Sequence, residues 1–302
     1  MTAVATLRIG TRASKLALAQ TEIVLSALQD AGFAGPMQVL SSTTRGDAIS
    51  ERRPNGRWEL TDGQFTSELE RKLLAGGVDL VVHSFKDLPT AMNPRLAIAA
   101  VLQRGEARDC LLTRDGSAWE ELPFGAHVAT SSARRAAQLA ALRPDLVATP
   151  IRGNVESRLA RLERGEFEAL LLAAVGLQRI GIAVPRAALL PFDAMLPAPA
   201  QGALAVQIRA DDETLCDRLR AVDHAPTRIA VEAERSLLSQ VGGGCLAPLG
   251  ALGEVHDHEL RLRAAYETPD GRFVKVDARG SAAAPRAVVD EAAAALGRAS
   301  LA

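Results

Sequence analysis

The chain has 302 residues, of which 48% are hydrophobic and 3% aromatic, and 35 lysines and arginines stand against 36 aspartates and glutamates, for a net charge of -1. This composition predicts a folded protein with two or three cores, and it argues against disorder and against a general attraction to nucleic acid or anionic membranes. The N-terminal segment has no long apolar run behind a basic start, and no stretch is long enough to span a membrane. We therefore expect a cytoplasmic protein.

The cysteines and histidines do not form a metal-binding or disulfide pattern. The three cysteines lie far apart in the sequence, which fits a reducing compartment, and we expect Cys110 in a strand and Cys216 on a helix to be small buried side chains. His256 and His258 fall in the segment GEVHDHE, which is typical of a hairpin turn. The sequence predicts no metal site.

The first hundred residues alternate short strands with amphipathic helices. The strands are TLRIGT, MQVLSST, VDLVVHS and LAIAAVL, and FTSELERKLLAGG is a helix. An earlier helix is predicted from about Lys15 to Ala31, with Ser14 as its N-cap and Gly32 as its stop. We expect its buried face to consist of Leu16, Ala19, Ile23 and Ala27.

A second α/β series begins near Asp109. Its predicted strands are DCLLT, AHVAT, VATPI and EALLLAAV, and its helices are ARRAAQLAALR and VESRLARLERG. From Pro197 the segment LPAPAQGALAVQIR suggests that the chain crosses back toward the first series, before a helix near Asp212 to Val222. The remainder reads as a small α+β unit: the helix IAVEAERSLLSQ, the strands ELRLRAAYE and GRFVKVDARG, and an alanine-rich helix.

Polar residues follow the predicted strands, where open α/β sheets bind ligands. A single arginine is most often a solvated surface charge, but several at the strand ends of two units would line one cleft, and a guanidinium group fits a carboxylate or a phosphate. The start of the helix after ATSS favours an anion further. The sequence therefore predicts a polyanionic ligand. The candidates are Arg12, Lys86, Asp87, Thr130, Ser132, Arg134, Arg135, Arg152, Asn154 and Arg179.

Two further residues could carry chemistry. Asp87 could simply pair with Lys86 or stabilise a turn, but in a cleft of arginines its carboxylate could stabilise a developing positive charge. Cys245 follows three glycines in VGGGCLAPLG, a loop that would expose it, although a small buried thiol is the simpler alternative. The sequence signatures of papain-like and caspase-like proteases are absent, which favours an attachment point.

Seven segments, in order from Leu7 to Gly250, resemble signatures of the porphobilinogen deaminase family, also called hydroxymethylbilane synthases. They are TLRIGTRASKLALAQ, VVHSFKDLP, ATSSARRAAQL, RGNVESRL, AVGLQRIG, PAQGA and GGGCLAPLG. The resemblance implies an α/β fold of three domains, of which the first two resemble the lobes of a type II periplasmic binding protein and the third is a small α+β domain. The implied limits are 1–102 with 203–220, 103–202, and 221–302.

The resemblance also implies a function in tetrapyrrole biosynthesis. Enzymes of this family join four porphobilinogen molecules head to tail, release ammonia each time and free the linear tetrapyrrole hydroxymethylbilane. Cys245 would carry a dipyrromethane cofactor through a thioether as the primer, and Asp87 would stabilise a cationic azafulvene. The implied cofactor-binding residues are Lys86, Asp87, Thr130, Ser132, Arg134, Arg135 and Arg158. The implied substrate-binding residues are Arg12, Arg152, Asn154, Arg179 and Gln201. The resemblance further suggests a monomer.

One stretch departs from the family pattern. Where the family reads GGKGLF, this chain has LTDGQF at residues 60–65, so Asp62 and Gln64 replace a lysine and a leucine, and the loop before it is lengthened. Arg52, Arg53 or Arg57 are candidates to supply the missing charge. This loop resembles the mobile flap of the family.

Two other classes of protein remain as alternatives. A non-catalytic anion-binding protein of similar two-lobed fold would use the same cleft, although the absence of a signal peptide weighs against it. A nucleic-acid-binding protein is disfavoured by the balanced charge and the scarce aromatic residues. Neither alternative gives Cys245 a role.

Overall fold

A computed structural model of the chain describes residues 6–43, 66–242, 244 and 247–301, with side chains as far as residue 297. The described strands are β1 (Leu7–Arg12), β2 (Met37–Ser42), β3 (Leu80–Ser84), β4 (Leu96–Val101), β5 (Asp109–Thr113), β6 (His127–Ala129), β7 (Val147–Thr149), β8 (Ala169–Ala173), β9 (Leu204–Arg209), β10 (Leu249–His256), β11 (Glu259–Glu267) and β12 (Phe273–Ser281). The described α-helices are α1 (Lys15–Asp30), α2 (Ser67–Leu74), α3 (Ala133–Leu142), α4 (Val155–Glu163), α5 (Ala174–Arg179), α6 (Glu213–Leu219), α7 (Ala225–Val241) and α8 (Pro285–Leu301).

The strands form three sheets. The first has the order β2-β1-β3-β9-β4, in which β1 runs parallel to β2 and β3, and β9 runs antiparallel to both of its neighbours. The second has the order β5-β8-β6-β7, and the third is the antiparallel meander β10-β11-β12. The prediction of an α/β fold with a small α+β unit at the end is confirmed by these sheets.

The chain visits the first sheet twice. It leaves after β4, builds the second sheet, and returns so that β9 inserts between β3 and β4. The outgoing and returning segments lie side by side, since the amide of Gly105 donates to the carbonyl oxygen of Gly202 at 3.2 Å. Two connecting segments therefore join the first two sheets, and a cleft lies between those sheets.

Helix α1 buries a different face from the one predicted. Ile23 is 41% exposed, and Leu16, Ala19 and Ala27 are only partly covered. Apolar residues occur on nearly every side of this helix, and its inner face is partly polar because the side chains of Thr21 and Gln20 bond to Thr11 and Ser84. The buried residues are Ala17, Gln20, Thr21, Val24 and Leu28.

One element boundary and one whole strand also differ from the prediction. Strand β8 ends at Ala173 and the chain continues directly as α5, so Arg179 lies at the end of a helix instead of following a strand. Strand β10 is absent from the elements that the sequence predicts. Its residues from Leu249 to Gly253 are all buried, so the strand lacks the alternation of apolar and polar residues that marks a half-buried strand.

The expectations for Cys110 and for the hairpin turn at His256 and His258 are confirmed, whereas the expectation of a buried Cys216 is met only in part. Cys110 is fully buried, and burial raises the pKa of its thiol to about 12, whereas Cys216 packs partly buried against the first core. Asp257 and His258 have positive φ angles of 47° and 68° between β10 and β11, as a tight hairpin turn requires. Within the described residues, no helix has the length and apolarity to cross a membrane, and no cluster of potential metal ligands occurs.

Candidate active site

The turn after β3 carries Lys86 and Asp87. Residues Phe85–Asp87 form one turn of 3-10 helix, closed by the amide of Leu88 donating to the carbonyl oxygen of Phe85 at 3.3 Å. The Lys86 Nζ atom donates to Gln201 Oε1 at 3.2 Å. Burial lowers the pKa of Lys86 to about 8, while the neighbouring Asp87 acts in the opposite direction. The pair therefore stands at the end of a central strand, and Lys86 contacts the returning chain.

A cavity of about 130 Å³ opens between the first two sheets beside this turn. Four cationic side chains of the described residues line it: Lys86 from the turn after β3, Arg135 from α3, Arg158 from α4 and Arg179 from α5. Burial lowers the pKa of Arg179 to about 10, and burial together with the charges of Arg135 and Arg152 lowers that of Arg158 to about 10. Both guanidinium groups stay charged near neutral pH, so the cavity favours anions. Its other lining residues are Leu16, Gln20, Ser84, Val155, Leu172, Ala173, Val175, Gly176, Gly202 and Ala203.

Asp109, at the start of β5, is the buried anion that pairs with the two arginines of α3. It is 0% exposed, and its two oxygens accept hydrogen bonds from Arg134 Nη1 at 2.7 Å and Arg135 Nη2 at 2.8 Å. Burial acts to raise the pKa of Asp109, but the two arginines outweigh it, so the pKa lies well below its ordinary value. Gln201 Nε2 donates to the same carboxylate at 2.9 Å. Asp109 and Gln201 thus connect Lys86 on one side of the cleft with Arg135 on the other.

Arg134 occupies a different place from its neighbour. It is 4% exposed, its Nη1 atom also donates to the carbonyl oxygen of Leu196 at 2.6 Å, and it is not among the described residues that line the cavity. Successive helical residues point in different directions, so only one of the two arginines of α3 faces the cleft. Arg134 instead shares the carboxylate of Asp109 with Arg135.

Three predicted site residues hold the starts of helices or the loops before them. Asn154 Oδ1 accepts from the amide of Ser157 at 2.8 Å and caps α4, the helix that carries Arg158. Ser132 caps α3, with its Oγ atom 3.4 Å from the amide of Arg135. Thr130 is 5% exposed, and its Oγ1 accepts from the amide of Ser132 at 3.2 Å. These contacts fix the helices whose arginines reach the cavity.

Arg12 is the last residue of β1 and is half-buried. Its charge is close enough to act on His83 in β3: burial lowers the pKa of His83 to about 4, and Arg12 adds to that effect, while the hydrogen bond that His83 Nε2 donates to Gln207 Oε1 opposes it. Arg12 therefore lies at the same edge of the first sheet as the turn of Lys86 and Asp87.

Several residues that support this site are not among those that the sequence singles out. Asp109 marks only the start of a series of elements in the sequence, and the buried pair Arg104–Glu234 and the side chain of Arg235 are not predicted. Glu234 is 0% exposed, is 2.5 Å from Arg104 Nη1, and also accepts from the amides of Ala200 and Gly253. A signal exists, because Glu234 and Arg235 occur at helical spacing from buried Ala230, Val231, Leu237 and Leu238.

Several predicted features lie outside the described residues. These are Cys245 itself and the segment that differs from the family pattern, with Asp62, Gln64, Arg52, Arg53 and Arg57. A dipyrromethane carries acetate and propionate groups, and its carboxylates fit the donor set of the cavity, in which an ammonium and three guanidinium groups converge. The residues present are therefore compatible with the cofactor that the sequence implies.

Two family models match the chain. Residues 7–217 match "Porphobilinogen deaminase, dipyromethane cofactor binding domain", and residues 228–297 match "Porphobilinogen deaminase, C-terminal domain". Among curated proteins, a porphobilinogen deaminase of a Roseiflexus species is 46% identical over 93% of this chain and 92% of its own length. A porphobilinogen deaminase of Nocardia farcinica is 48% identical over 89% of this chain and 78% of its own length.

Solved structures similar to the chain are more distant. The methionine-binding protein MetQ is 8% identical with a TM-score of 0.46, over 76% of this chain and 90% of that one. The periplasmic VFT2 domain of Bordetella pertussis BvgS is 14% identical with a TM-score of 0.42, over 72% of this chain and 86% of that one. Scores of this size carry no argument about function.

Proposed function

Because the chain belongs to the porphobilinogen deaminase family, we propose that the cleft between its first two sheets performs the family's reaction with the residues that line it. The reaction is the head-to-tail condensation of four porphobilinogen molecules on a dipyrromethane primer, with release of ammonia and hydroxymethylbilane. The observation that carries the assignment of the site is the convergence of Lys86, Arg135, Arg158 and Arg179 on one cavity beside Asp87.

The cations bind the substrate by its carboxylates. Each pyrrole carries an acetate and a propionate, and a guanidinium group binds a carboxylate through two parallel hydrogen bonds. Arg179 and Arg158 supply such groups from helices α5 and α4, and Arg152 adds charge next to Arg158. Arg12, at the end of β1, supplies another guanidinium group for a substrate carboxylate. Asn154 orients the helix that carries Arg158, and Gln201 orients Lys86.

Asp87 acts on the charge that develops during the reaction. When the aminomethyl C–N bond of porphobilinogen breaks and ammonia leaves, the substrate pyrrole becomes positively charged. A carboxylate fixed beside the pyrrole nitrogen stabilises that charge. After the new C–C bond forms, the ring carbon of the attacking pyrrole loses its proton to water, and Asp87 would hold the pyrrole N–H through this step.

Cys245 would hold the dipyrromethane by a thioether, and this group would supply the two linked pyrroles on which the chain grows. Lys86, Arg135 and Arg158 would hold its carboxylates, together with Asp87 at its pyrrole nitrogens. Thr130 and Ser132 would contribute at the start of α3, and Arg134 through the carboxylate of Asp109 that it shares with Arg135. The match to a family model for a dipyrromethane-binding domain supports this arrangement.

We also propose that the chain divides into domains at 1–102 with 203–220, 103–202, and 221–302, which is supported by the separate sheets and by the return of β9 to the first sheet. The protein would act as a monomer in the cytoplasm, with porphobilinogen as its small-molecule partner. The net charge of -1 supports the absence of a nucleic-acid or membrane partner.

The role of Asp87 is tested with Asp87→Asn, which keeps the shape of the side chain and removes its charge. We expect the rate of hydroxymethylbilane formation, and of ammonia release, to fall at least about 100-fold, the usual contribution of such a group. Asp217→Asn is the matched control, because Asp217 lies on α6 and pairs at the surface with Arg220. An Asp87→Asn protein with nearly full activity would rule out the proposed role.

A further inference from the structure

A single arginine of the third unit holds the turn that carries Lys86 and Asp87. Arg235 lies in the middle of α7 and is 9% exposed. Its Nη1 atom donates to the carbonyl oxygens of Phe85 at 3.2 Å and Leu88 at 2.9 Å, and its Nη2 atom donates to that of Pro89 at 2.6 Å. Its guanidinium carbon also lies 4.6 Å from the centre of the Phe85 ring.

These contacts hold the backbone just before Lys86 and just after Asp87. A single turn of 3-10 helix has poor hydrogen-bond geometry and little stability of its own. The carbonyl oxygens that accept from Arg235 come from the residue before Lys86 and from the two residues that follow Asp87. A planar guanidinium group presents its donors in a fixed fork, so it fixes the relative positions of these carbonyls in a way that a lysine could not.

The same helix leads to the cysteine that would carry the primer. Helix α7 ends at Val241, where the amide of Gly242 closes it on the carbonyl oxygen of Leu238 at 3.2 Å, and Cys245 follows within the glycine segment. The helix is packed along its length, with Val231, Leu237 and Leu238 buried. It therefore acts as a rigid spacer between the turn of Asp87 and the start of that segment.

We propose that Arg235 is a positioning residue that fixes Asp87 and Lys86 at the end of β3 by holding the backbone on both sides of them. The proposal rests on the proposed role of Asp87 in the reaction. Arg235 acts through the backbone of residues 85–89, without touching substrate. A displacement of about 1 Å in a catalytic group can cost about 100-fold in rate, so a loosened turn should reduce kcat more than it weakens binding.

The chain contains a matched control on the same helix. Arg228 also lies on α7 and also donates to carbonyl oxygens of the first sheet, those of Ile98 at 3.3 Å and Ala99 at 3.1 Å. Its remaining partners, Asp223 and Glu232, are charged groups away from the turn. Loss of Arg228 therefore weakens the contact between α7 and the first sheet without releasing residues 85–89.

The first test compares Arg235→Met, Arg235→Lys and Arg228→Met as full-length proteins, each with the primer checked by intact mass. We expect Arg235→Met to lower kcat at least about ten-fold with KM changed by less than about three-fold. Arg235→Lys should recover only part of kcat, and Arg228→Met should keep kcat within about two-fold of the wild type. If Arg235→Met and Arg228→Met keep the same kcat while losing similar stability, Arg235 is structural only and the proposal is wrong.

The second test does not depend on activity or on the stability of Arg235→Met. Hydrogen exchange of the peptide spanning residues 84–90 is measured in Arg235→Lys and in Arg228→Lys. We expect faster exchange of the Leu88 amide only in Arg235→Lys, because that amide closes the turn on the carbonyl oxygen of Phe85. Equal exchange in the two variants would overturn the proposal. Failure of the function itself is recognised separately, since the wild-type protein would then form no hydroxymethylbilane.

Discussion

At the scale of single residues, the carboxylate of Asp109 is the counterion on which the buried arginines of α3 depend. Asp109→Asn would leave Arg134 and Arg135 buried without it, and removal of one partner of a buried pair typically costs about 3–5 kcal/mol. We expect the free energy of unfolding in urea to fall by about that amount, because Arg134, which does not line the cavity, would keep its charge buried without that carboxylate.

The control for this prediction is Asp217→Asn, which breaks an exposed pair with Arg220. We expect that variant to unfold at nearly the same urea concentration as the wild type, because exposed pairs contribute little. An Asp109→Asn protein as stable as the control would mean that the two arginines of α3 do not need the carboxylate.

The arginines can be predicted from the sequence, but their counterion cannot. Strand ends are recognisable from local pattern, and this pattern alone makes Lys86, Asp87 and Arg135 candidates for the site. Asp109 is 25 residues before Arg134, and its role arises only when β5 packs beside α3. Likewise, the two arginines of α3 look equivalent in the sequence, and only helix orientation separates the one that lines the cavity from the one that does not.

At the scale of secondary-structure elements, the start of helix α4 allows the capping role of Asn154 to be distinguished from a role in substrate binding. Asn154→Ala should lower the free energy of unfolding by about 1 kcal/mol, and Asn154→Ser should restore most of it, because a serine oxygen also caps a helix. Unfolding curves of the three proteins test the cap. If Asn154 also binds substrate, KM stays raised in the serine variant after stability has returned.

The elements that sequence pattern locates best are those with one buried face or an unmixed apolar run, such as β3 and β5. Strand β10 is not predicted because both of its faces are closely packed, so its apolar and polar residues do not alternate. A Cβ atom on Gly253 would lie 2.7 Å from the carbonyl oxygen of Ala230, so the strand must present glycine where it meets α7. The boundary between β8 and α5 escapes prediction because the chain is apolar on both sides of it, and periodicity cannot distinguish a strand from a helix there.

At the scale of the whole molecule, the two connections between the first and second sheets meet at Gly202. This residue has a φ of 91°, and a Cβ atom there would lie 2.8 Å from the carbonyl oxygen of Gly105. We expect Gly202→Ala to lower stability by more than about 1 kcal/mol, since both backbone strain and a clash with main-chain atoms oppose it. Gly271→Ala is the control, because it has a similar φ of 82° with nothing near its Cβ position.

Gly202→Ala and Gly271→Ala share the strain of a positive φ, but only Gly202→Ala adds a clash with the other connection. The difference between their unfolding midpoints therefore measures the effect of that clash. Gly202→Ala should be the less stable of the two variants, and its cleft should bind porphobilinogen less tightly, since Arg179 donates to the carbonyl oxygen of Gly202 at 2.7 Å. Equal stability and equal affinity in the two variants would show that the crossing tolerates a side chain and has no influence on the cleft.

The intact mass of the purified protein, measured beside a Cys245→Ser variant, tests most directly whether this molecule builds a chain of pyrroles on itself. We expect the wild-type mass to exceed that of the sequence by two linked pyrrole units, and the serine variant to show no excess. An unmodified wild-type mass that does not change after incubation with porphobilinogen would contradict the covalent primer and favour a cleft that only binds anions.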